Sequence, residues 1–474
     1  MTDRRRPLNA GKGYDLAVIG AGSAGFSAAI TAAEQGARVA LVGHGTIGGT
    51  CVNVGCLPSK TLIRAAESLH QARAARRFAG IAARAQVEDW ATIVRGKDEL
   101  VADLRRSRYA DLLPAYAGIT YIAGKARLTH DGVAVNGGLV KSDRIIITTG
   151  ARPAVPTIPG IEDAQPLTST SALALETLPK SLLVIGGGFV GAEFAQMFAR
   201  MGVEVTVVCR SRLLPGAEPE IAAALSECFR DEGIRLVCGA AYRSVRRGRD
   251  GVALVVTRDA GEEVLAAERL LLATGRAANV ESLGLAQAGV AQAADGGIRV
   301  DDRMRTTRAG IYAAGDVTGG DRFVYMAAYG AKLAAKNALG GDLRYDNAAM
   351  PVVLFTDPQM ATVGLTEAAA RAAGHEAWIS ALPLSALPRA LAARATRGLI
   401  KLVADRTTRR LLGAHILAPE GGDSIQTAAL AIRHGLTIDD LCDAIFPYLT
   451  TVEGLKLAAL GFAKDLTKLS CCAG

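Results

Sequence analysis

The chain has 474 residues, a net charge of +8, half its residues apolar and a fifth charged. That balance excludes a disordered chain, and the length calls for about three or four domains. Eight cysteines are too sparse for a secreted disulfide scaffold, no aromatic-basic cluster points to nucleic acid, and no signal peptide or membrane span is expected, so the default is a reducing cytoplasm.

Residues 15–42 read strand, glycine turn, helix, strand. The apolar run Leu16–Ile19 meets Gly20, Gly22 and Gly25, and an alanine-rich helix follows until Gly36. Next comes GGTCVNVGCLPSK at 48–60, with Cys51 and Cys56 five positions apart. On a regular helix that spacing rises by about 7.5 Å, beyond a disulfide's reach. Gly55 between them makes a local distortion easy. A pair bridged only through distortion at a helix start suits a labile, electron-accepting disulfide better than a staple. A zinc clasp would need a second half at suitable spacing, which C-x₄-C lacks here.

Residues 182–208 repeat the strand–turn–helix–strand plan with Gly186, Gly188 and Gly191. In both units the first glycine permits a tight turn, the second lets backbone approach a pyrophosphate, and the third lets helix pack on strand. Two such units imply two dinucleotides and a two-nucleotide oxidoreductase. The second unit's second strand ends Cys209-Arg210-Ser211-Arg212, without an acid. Arg210 and Arg212 are therefore expected to meet a 2′-phosphate, favouring NADPH over NADH. The first unit's counterpart ends Gly43-His44, also without an acid; were FAD bound there, backbone groups or His44 would hold its ribose.

Two strand-like pieces ending in Thr-Gly, at 144–153 and 270–279, read as crossings between nucleotide units. Residues 306–320 present Asp316 after a buried strand, and a helix is predicted from about Val324. From Met350 the texture turns to α+β, with strands in VVLF, GLIKLVAD and GAHILAPE and helices over SIQTAALAIRHG and TVEGLKLAALGFAKDL. Cys209, Cys228, Cys238 and Cys442 have no paired spacing and are expected to be structural.

On Gly20–Gly25, Gly48–Lys60, the second fingerprint through Glu193, and Ala313-Ala314-Gly315-Asp316, residues 14–474 resemble the flavoprotein disulfide reductases, the pyridine nucleotide-disulfide oxidoreductase family. The resemblance implies an α/β chain with two Rossmann-like dinucleotide-binding domains, for FAD and NADPH, plus a C-terminal α+β dimerisation domain. Its divisions would be a basic tail at 1–13, FAD-binding parts at 14–150 and 276–345, an NADPH-binding domain at 151–275 and an interface domain at 346–474. It implies a homodimer in which electrons pass from NADPH through FAD to the cysteine pair, with Cys56 against the flavin and Cys51 exchanging. Lys60 and Glu193 match an ion pair at the flavin edge. Asp316 matches a contact to the ribityl chain, and Val324 the start of a helix whose positive end faces the ring. Gly45, Thr50 and Ala126 fall at flavin-contacting positions, and Phe189 stands where relatives often carry a tyrosine lid.

Two features depart from the family's disulfide-reducing members. Those carry a His-Pro pattern paired with a glutamate; here the stretch reads Pro447-Tyr448-Leu449, with Glu453 kept. A tyrosine is a poor acid-base group near neutral pH. The chain also closes on Cys471-Cys472. Both features are similar to the family's mercury-reducing branch, in which soft Hg(II) would pass between thiolate pairs by ligand exchange. By that resemblance Cys471 and Cys472 collect metal and deliver it to Cys51 and Cys56 of the other subunit, where Tyr448 closes the site. The expectation is FAD- and NADPH-dependent reduction of Hg(II) to Hg(0). Reduction of a small disulfide or lipoyl substrate, and plain sequestration of mercury, are the alternatives.

Overall fold

Five parallel strands form the first sheet, in the order Ile311–Ala313, Ile145–Ile147, Leu16–Ile19, Val39–Gly43, Ile119–Ala123. The structure, a computed structural model, describes residues 13–465. The three middle strands are buried along their whole length, as continuous apolar runs in a parallel sheet covered on both faces should be. Against this sheet the helix Ser23–Ala33 lies on the helix Val324–Ala338, and small buried residues such as Ala28, Ala32, Ala331 and Ala334 let the two approach closely.

A second parallel sheet runs Arg235–Val237, Glu204–Val208, Ser181–Ile185, Arg269–Leu272. An antiparallel sheet of Ala241–Arg247, Val252–Arg258 and Gly261–Ala267 packs its apolar side into the same core. The two Thr-Gly segments pair with each other, Ala151–Pro153 antiparallel to Arg276–Ala278.

The C-terminal part is a five-stranded antiparallel sheet ordered Val352–Leu354, Gln359–Gly364, Leu411–Ala418, Leu399–Asp405, Ala377–Pro383. The helices Gly421–Arg433 and Glu453–Leu460 cover it, the latter stopping before Gly461 and so shorter than its apolar pattern. The α/β class that the resemblance implies is the one observed.

One buried cation fastens this sheet to the unit built on the second parallel sheet. Lys401 is 1 % exposed and its Nζ donates at 3.0 Å to each of Glu218, Glu220 and Glu367. Burial works against its charge, yet the bonds to Glu220, Glu218 and Glu367 raise its pKa. Among the described residues no helix is long and apolar enough to cross a membrane.

Candidate active site at the cysteine pair

The two glycine turns are built alike. Gly20 and Gly186 take φ of +118° and +120°, and a Cβ on either would sit 2.3 Å from a carbonyl oxygen of the neighbouring strand end, that of Thr148 or Ala273. Only glycine fits such a conformation and such a neighbour. The third glycines abut the first: a Cβ on Gly25 would lie 1.7 Å from the Gly20 oxygen, and on Gly191 2.0 Å from the Gly186 oxygen. The middle glycine of the second unit, Gly188, faces open space with nothing within 4 Å, at the N-terminus of the helix Phe189–Arg200. That leaves room for a phosphate against free backbone N–H groups.

Between Cys51 and Cys56 the helix breaks. Gly49–Val54 ends and Cys56–Ala74 begins across Gly55, whose φ of −133° and ψ of −116° belong to neither. A Cβ at Gly55 would meet the Thr50 oxygen at 2.8 Å and the Cys51 Cα at 3.2 Å, so the short helix folds back onto the next one. The break sets the Cys51 thiol to donate to Cys56. That bond, helped by the charge of Lys60 and opposed by burial, lowers the Cys56 pKa to about 7, while the donor thiol of Cys51 is pushed up. Both sulfurs are free thiols and half-buried.

One turn along the same helix, Lys60 Nζ pairs with Glu193 Oε2 and lies 4.9 Å from the centre of the Phe355 ring. A cavity of about 770 Å³ joins the cysteines and Lys60 to the first glycine turn, with Gly20, Gly22, Gly45 and Thr50 along one wall. Ala126, Asp316 and Val324 line it further along, and Phe189 and Glu193 close it from the second unit. Gly25 supports the turn from beneath. Phe189 meets Phe323 edge-on at 6.0 Å, and Phe323 stacks on Tyr325 at 5.5 Å.

Two arginines that the sequence reading left out also enter the cavity. Arg276 and Arg322 each bury an Nε that has no hydrogen-bond partner among the described residues, although Arg276 Nε comes within 3.5 Å of Asp316. Burial raises the Asp316 pKa against the pull of both guanidinium groups. Room of this size, a side-chain-free turn at a helix start and buried donors awaiting acceptors fit a phosphate-bearing flavin dinucleotide.

Other expected residues stand apart. Arg210 is exposed at the end of the strand Glu204–Val208, with no ion-pair partner among the described residues. Arg212 is held in part: its Nη2 donates to the carbonyls of Pro215 and Ala217, at 3.0 and 2.6 Å, because the chain turns back under it before the helix Pro219–Asp231, while its buried Nη1 has no hydrogen-bond partner among the described residues. Tyr448 is 49 % exposed and does not line the cavity among the described residues. Glu453 is buried, and its carboxylate accepts the Leu449 N–H at 3.1 Å, so it shapes the loop that carries Tyr448. Cys471 and Cys472 lie outside the described residues. Cys209 and Cys238, expected to be unpaired, have sulfurs 3.1 Å apart, because neighbouring parallel strands end side by side there.

Residues 14–335 match the family model for pyridine nucleotide-disulphide oxidoreductases, and residues 350–459 match the dimerisation domain of the same enzymes. The chain belongs to the pyridine nucleotide-disulphide oxidoreductase family. As a member it is an oxidoreductase that uses FAD and a nicotinamide nucleotide. Among curated members, the chain is 46% identical over 464 residues to the mercuric reductase of Staphylococcus aureus, covering 97% of this chain and 84% of that one. It is 47% identical over 475 residues to the mercuric reductase of Streptomyces lividans, covering 98% and 100%. Among solved members, it is similar to the HOCl-induced flavoprotein disulfide reductase RclA of Escherichia coli in its Cu(II) complex, with a TM-score of 0.84, 32% identity and coverage of 95% and 99%.

Proposed function

We propose that the chain is an NADPH- and FAD-dependent mercury(II) reductase acting as a cytoplasmic homodimer. The observation that carries this reading is the Cys51–Cys56 pair, one sulfur favoured as thiolate and the other as its hydrogen-bond donor, at a cavity with room for a flavin. Relatives alignable over nearly the whole chain are named for the same activity.

FAD would be held by the Gly20–Ala24 turn, Lys60, Arg276, Asp316 and Arg322, with Val324 at a helix start beside it. When bound there it supplies the two-electron relay from the nicotinamide to the cysteine site. Lys60, paired to Glu193, keeps a positive charge at the reacting end. Phe189 covers the cavity from the second unit, and Arg210 meets the 2′-phosphate of NADPH. Residues 14–150 and 276–345 form the FAD-binding part, 151–275 the NADPH-binding part and 346–474 the interface.

Hg(II) arrives as a thiol complex, collected by Cys471 and Cys472. The Cys56 thiolate displaces one ligand, and Cys51 displaces the other while its proton leaves with the departing thiolate. Soft metal on two thiolates is a stable arrangement for an ion and a poor one for a neutral atom. Two electrons convert bound Hg(II) to Hg(0), which leaves both sulfurs as thiolates. No group must deliver a proton to the reduced product. That suits a site whose nearest family counterpart to an acid-base pair is Tyr448 with Glu453, the latter already committed to the Leu449 N–H.

The test is NADPH oxidation by purified protein with Hg(II), with metal vapour collected. Cys51→Ala or Cys56→Ala should abolish both signals. NADPH oxidation driven by glutathione disulfide or lipoamide, with none driven by Hg(II), would instead establish the disulfide-reductase alternative.

A further inference from the structure

Cys209 and Cys238 follow directly on two neighbouring parallel strands, Glu204–Val208 and Arg235–Val237, whose register pairs Val208 with Val237. The ladder continues past the strand ends, because Cys209 N–H bonds the Val237 oxygen at 2.9 Å and Ala240 N–H bonds the Cys209 oxygen at 3.1 Å. The two residues are therefore cross-strand neighbours, and strands lie about 4.8 Å apart, within the Cα range a disulfide spans. Their sulfurs are 3.1 Å apart, with the Cys209 thiol donating to Cys238.

The two sulfurs have different surroundings. Cys209 is 3 % exposed, packed over the backbone of the second fingerprint: a Cβ on Gly187 would lie 3.3 Å from its sulfur. Cys238 is part-exposed. The Cys209 thiol, the Leu213 N–H and the charges of Arg230 and Arg258 lower its pKa to about 6 against burial, while Cys209 is pushed up. An accessible thiolate beside a buried thiol is the arrangement of an attacking and a resolving cysteine.

The pair sits where it can alter the second nucleotide site. Gly239 N–H holds the Ser211 oxygen at 2.9 Å, and Leu214 N–H holds the Gly187 oxygen at 2.7 Å. These bonds tie the loop bearing Arg210 to both the strand end and the glycine turn. We propose that Cys209 and Cys238 are a second dithiol, oxidised to a disulfide by hydroperoxides, and that its closure weakens binding of the pyridine nucleotide. The inference rests on assigning the second fingerprint to that nucleotide.

In the first step the Cys238 thiolate attacks one peroxide oxygen; the S–O bond forms, the O–O bond breaks and hydroxide leaves. In the second, the Cys209 sulfur attacks the sulfenic sulfur; the S–S bond forms, the S–O bond breaks, and hydroxide leaves with the Cys209 proton as water. Each cysteine gives up one electron and the peroxide gains two. Closure draws the two sulfurs from 3.1 Å to about 2.05 Å, which shifts Cys209 against the Gly187 turn and, one residue on, the loop bearing Arg210.

The experiment uses full-length Cys51→Ser/Cys56→Ser protein, so that the inner pair consumes no oxidant. It is treated with hydrogen peroxide, mapped by mass spectrometry and titrated with NADPH. The expected result is a Cys209–Cys238 linked peptide and NADPH binding weakened about ten-fold, the loss of one charge-assisted contact, restored by a dithiol reductant. Cys209→Ser should form no link and keep its NADPH affinity under peroxide. Absence of the linked peptide, or a link with unchanged NADPH affinity, overturns the proposal. Untreated protein that binds no NADPH at all would instead refute the nucleotide assignment, separately from any result on mercury.

Discussion

Lys60 Nζ stands 2.7 Å from Glu193 Oε2, while the other Glu193 oxygen accepts the Phe355 N–H at 3.0 Å. One carboxylate, 6 % exposed, thereby joins the cysteine helix, the second fingerprint helix and the entry to the C-terminal sheet. Lys60 lowers the Cys56 pKa and Glu193 raises it, both less strongly than the Cys51 hydrogen bond. In the reduced protein, Lys60→Met should move the thiolate midpoint above about 7 and Glu193→Gln should move it below. Ultraviolet thiolate absorbance against pH, with Cys56→Ser subtracted, measures both. Lys60→Met also leaves Glu193 without its cation, at about 1–3 kcal/mol of stability.

The same thiolate makes the reduced form pH-sensitive. An unfolded cysteine titrates near about 8.5, and in the fold Cys56 lies lower, at about 7. Its contribution is therefore complete above the unfolded value and is lost as pH falls through the folded one. Thermal unfolding of reduced wild type should weaken over that window relative to Cys56→Ser.

Gly55→Ala places a methyl group 2.8 Å from the Thr50 oxygen, with an expected cost of about 1–3 kcal/mol. Cys51 should turn away from Cys56, and the Cys56 thiolate midpoint should return toward the ordinary thiol range. Gly96→Ala, on the exposed face of the helix Trp90–Arg105 with nothing within 4 Å, is the control. It should stabilise by about 0.5–1 kcal/mol.

On the proposed contact between Arg210 and the 2′-phosphate, Arg210→Ala should raise KM for NADPH by about ten-fold and leave KM for NADH nearly unchanged. Arg212→Ala should also lower Tm, because its Nη2 holds the Pro215 and Ala217 carbonyls. Steady-state kinetics with both nucleotides, alongside thermal unfolding, separates the two.

Lys401→Met strands three carboxylates around a buried position and should cost about 3–5 kcal/mol. Hydrogen bonds from Arg371 and Lys401 lower the Glu367 pKa; for Glu220, its own backbone and Lys401 lower it against burial. Depressed carboxylates contribute stability above their unfolded value of about 4.3 and lose it as pH falls through the folded value. Wild-type Tm should therefore drop in acid, and Lys401→Met should show a shallower drop.

Both glycine turns and the cysteine pair were readable because each depends on residues close in sequence, whereas the Lys60–Glu193 pair, 133 positions apart, came only through the family resemblance. Arg276 and Arg322 were not readable, because they reach the cavity only once Arg276–Ala278 pairs with Ala151–Pro153 and Arg322 bonds the Arg276 oxygen at 2.9 Å. Arg212 has the place after a strand that suits a phosphate ligand, and which carbonyls the following turn would offer its Nη2 was not written in the spacing. Cys209 and Cys238 looked unpaired for a similar reason: 29 positions separate them in sequence, and the sheet order brings them together.

The first sheet takes its edge strand, Ile311–Ala313, from beyond the whole second unit, whereas the parallel sheet of that unit is complete within residues 181–272. During synthesis from the N-terminus, the later-made module therefore closes first. The earlier one must wait with Ile145–Ile147 as an unpaired edge, exposed to wrong partners until the returning strand leaves the ribosome. An interrupted translation product would thus carry a finished centre and an open, aggregation-prone beginning.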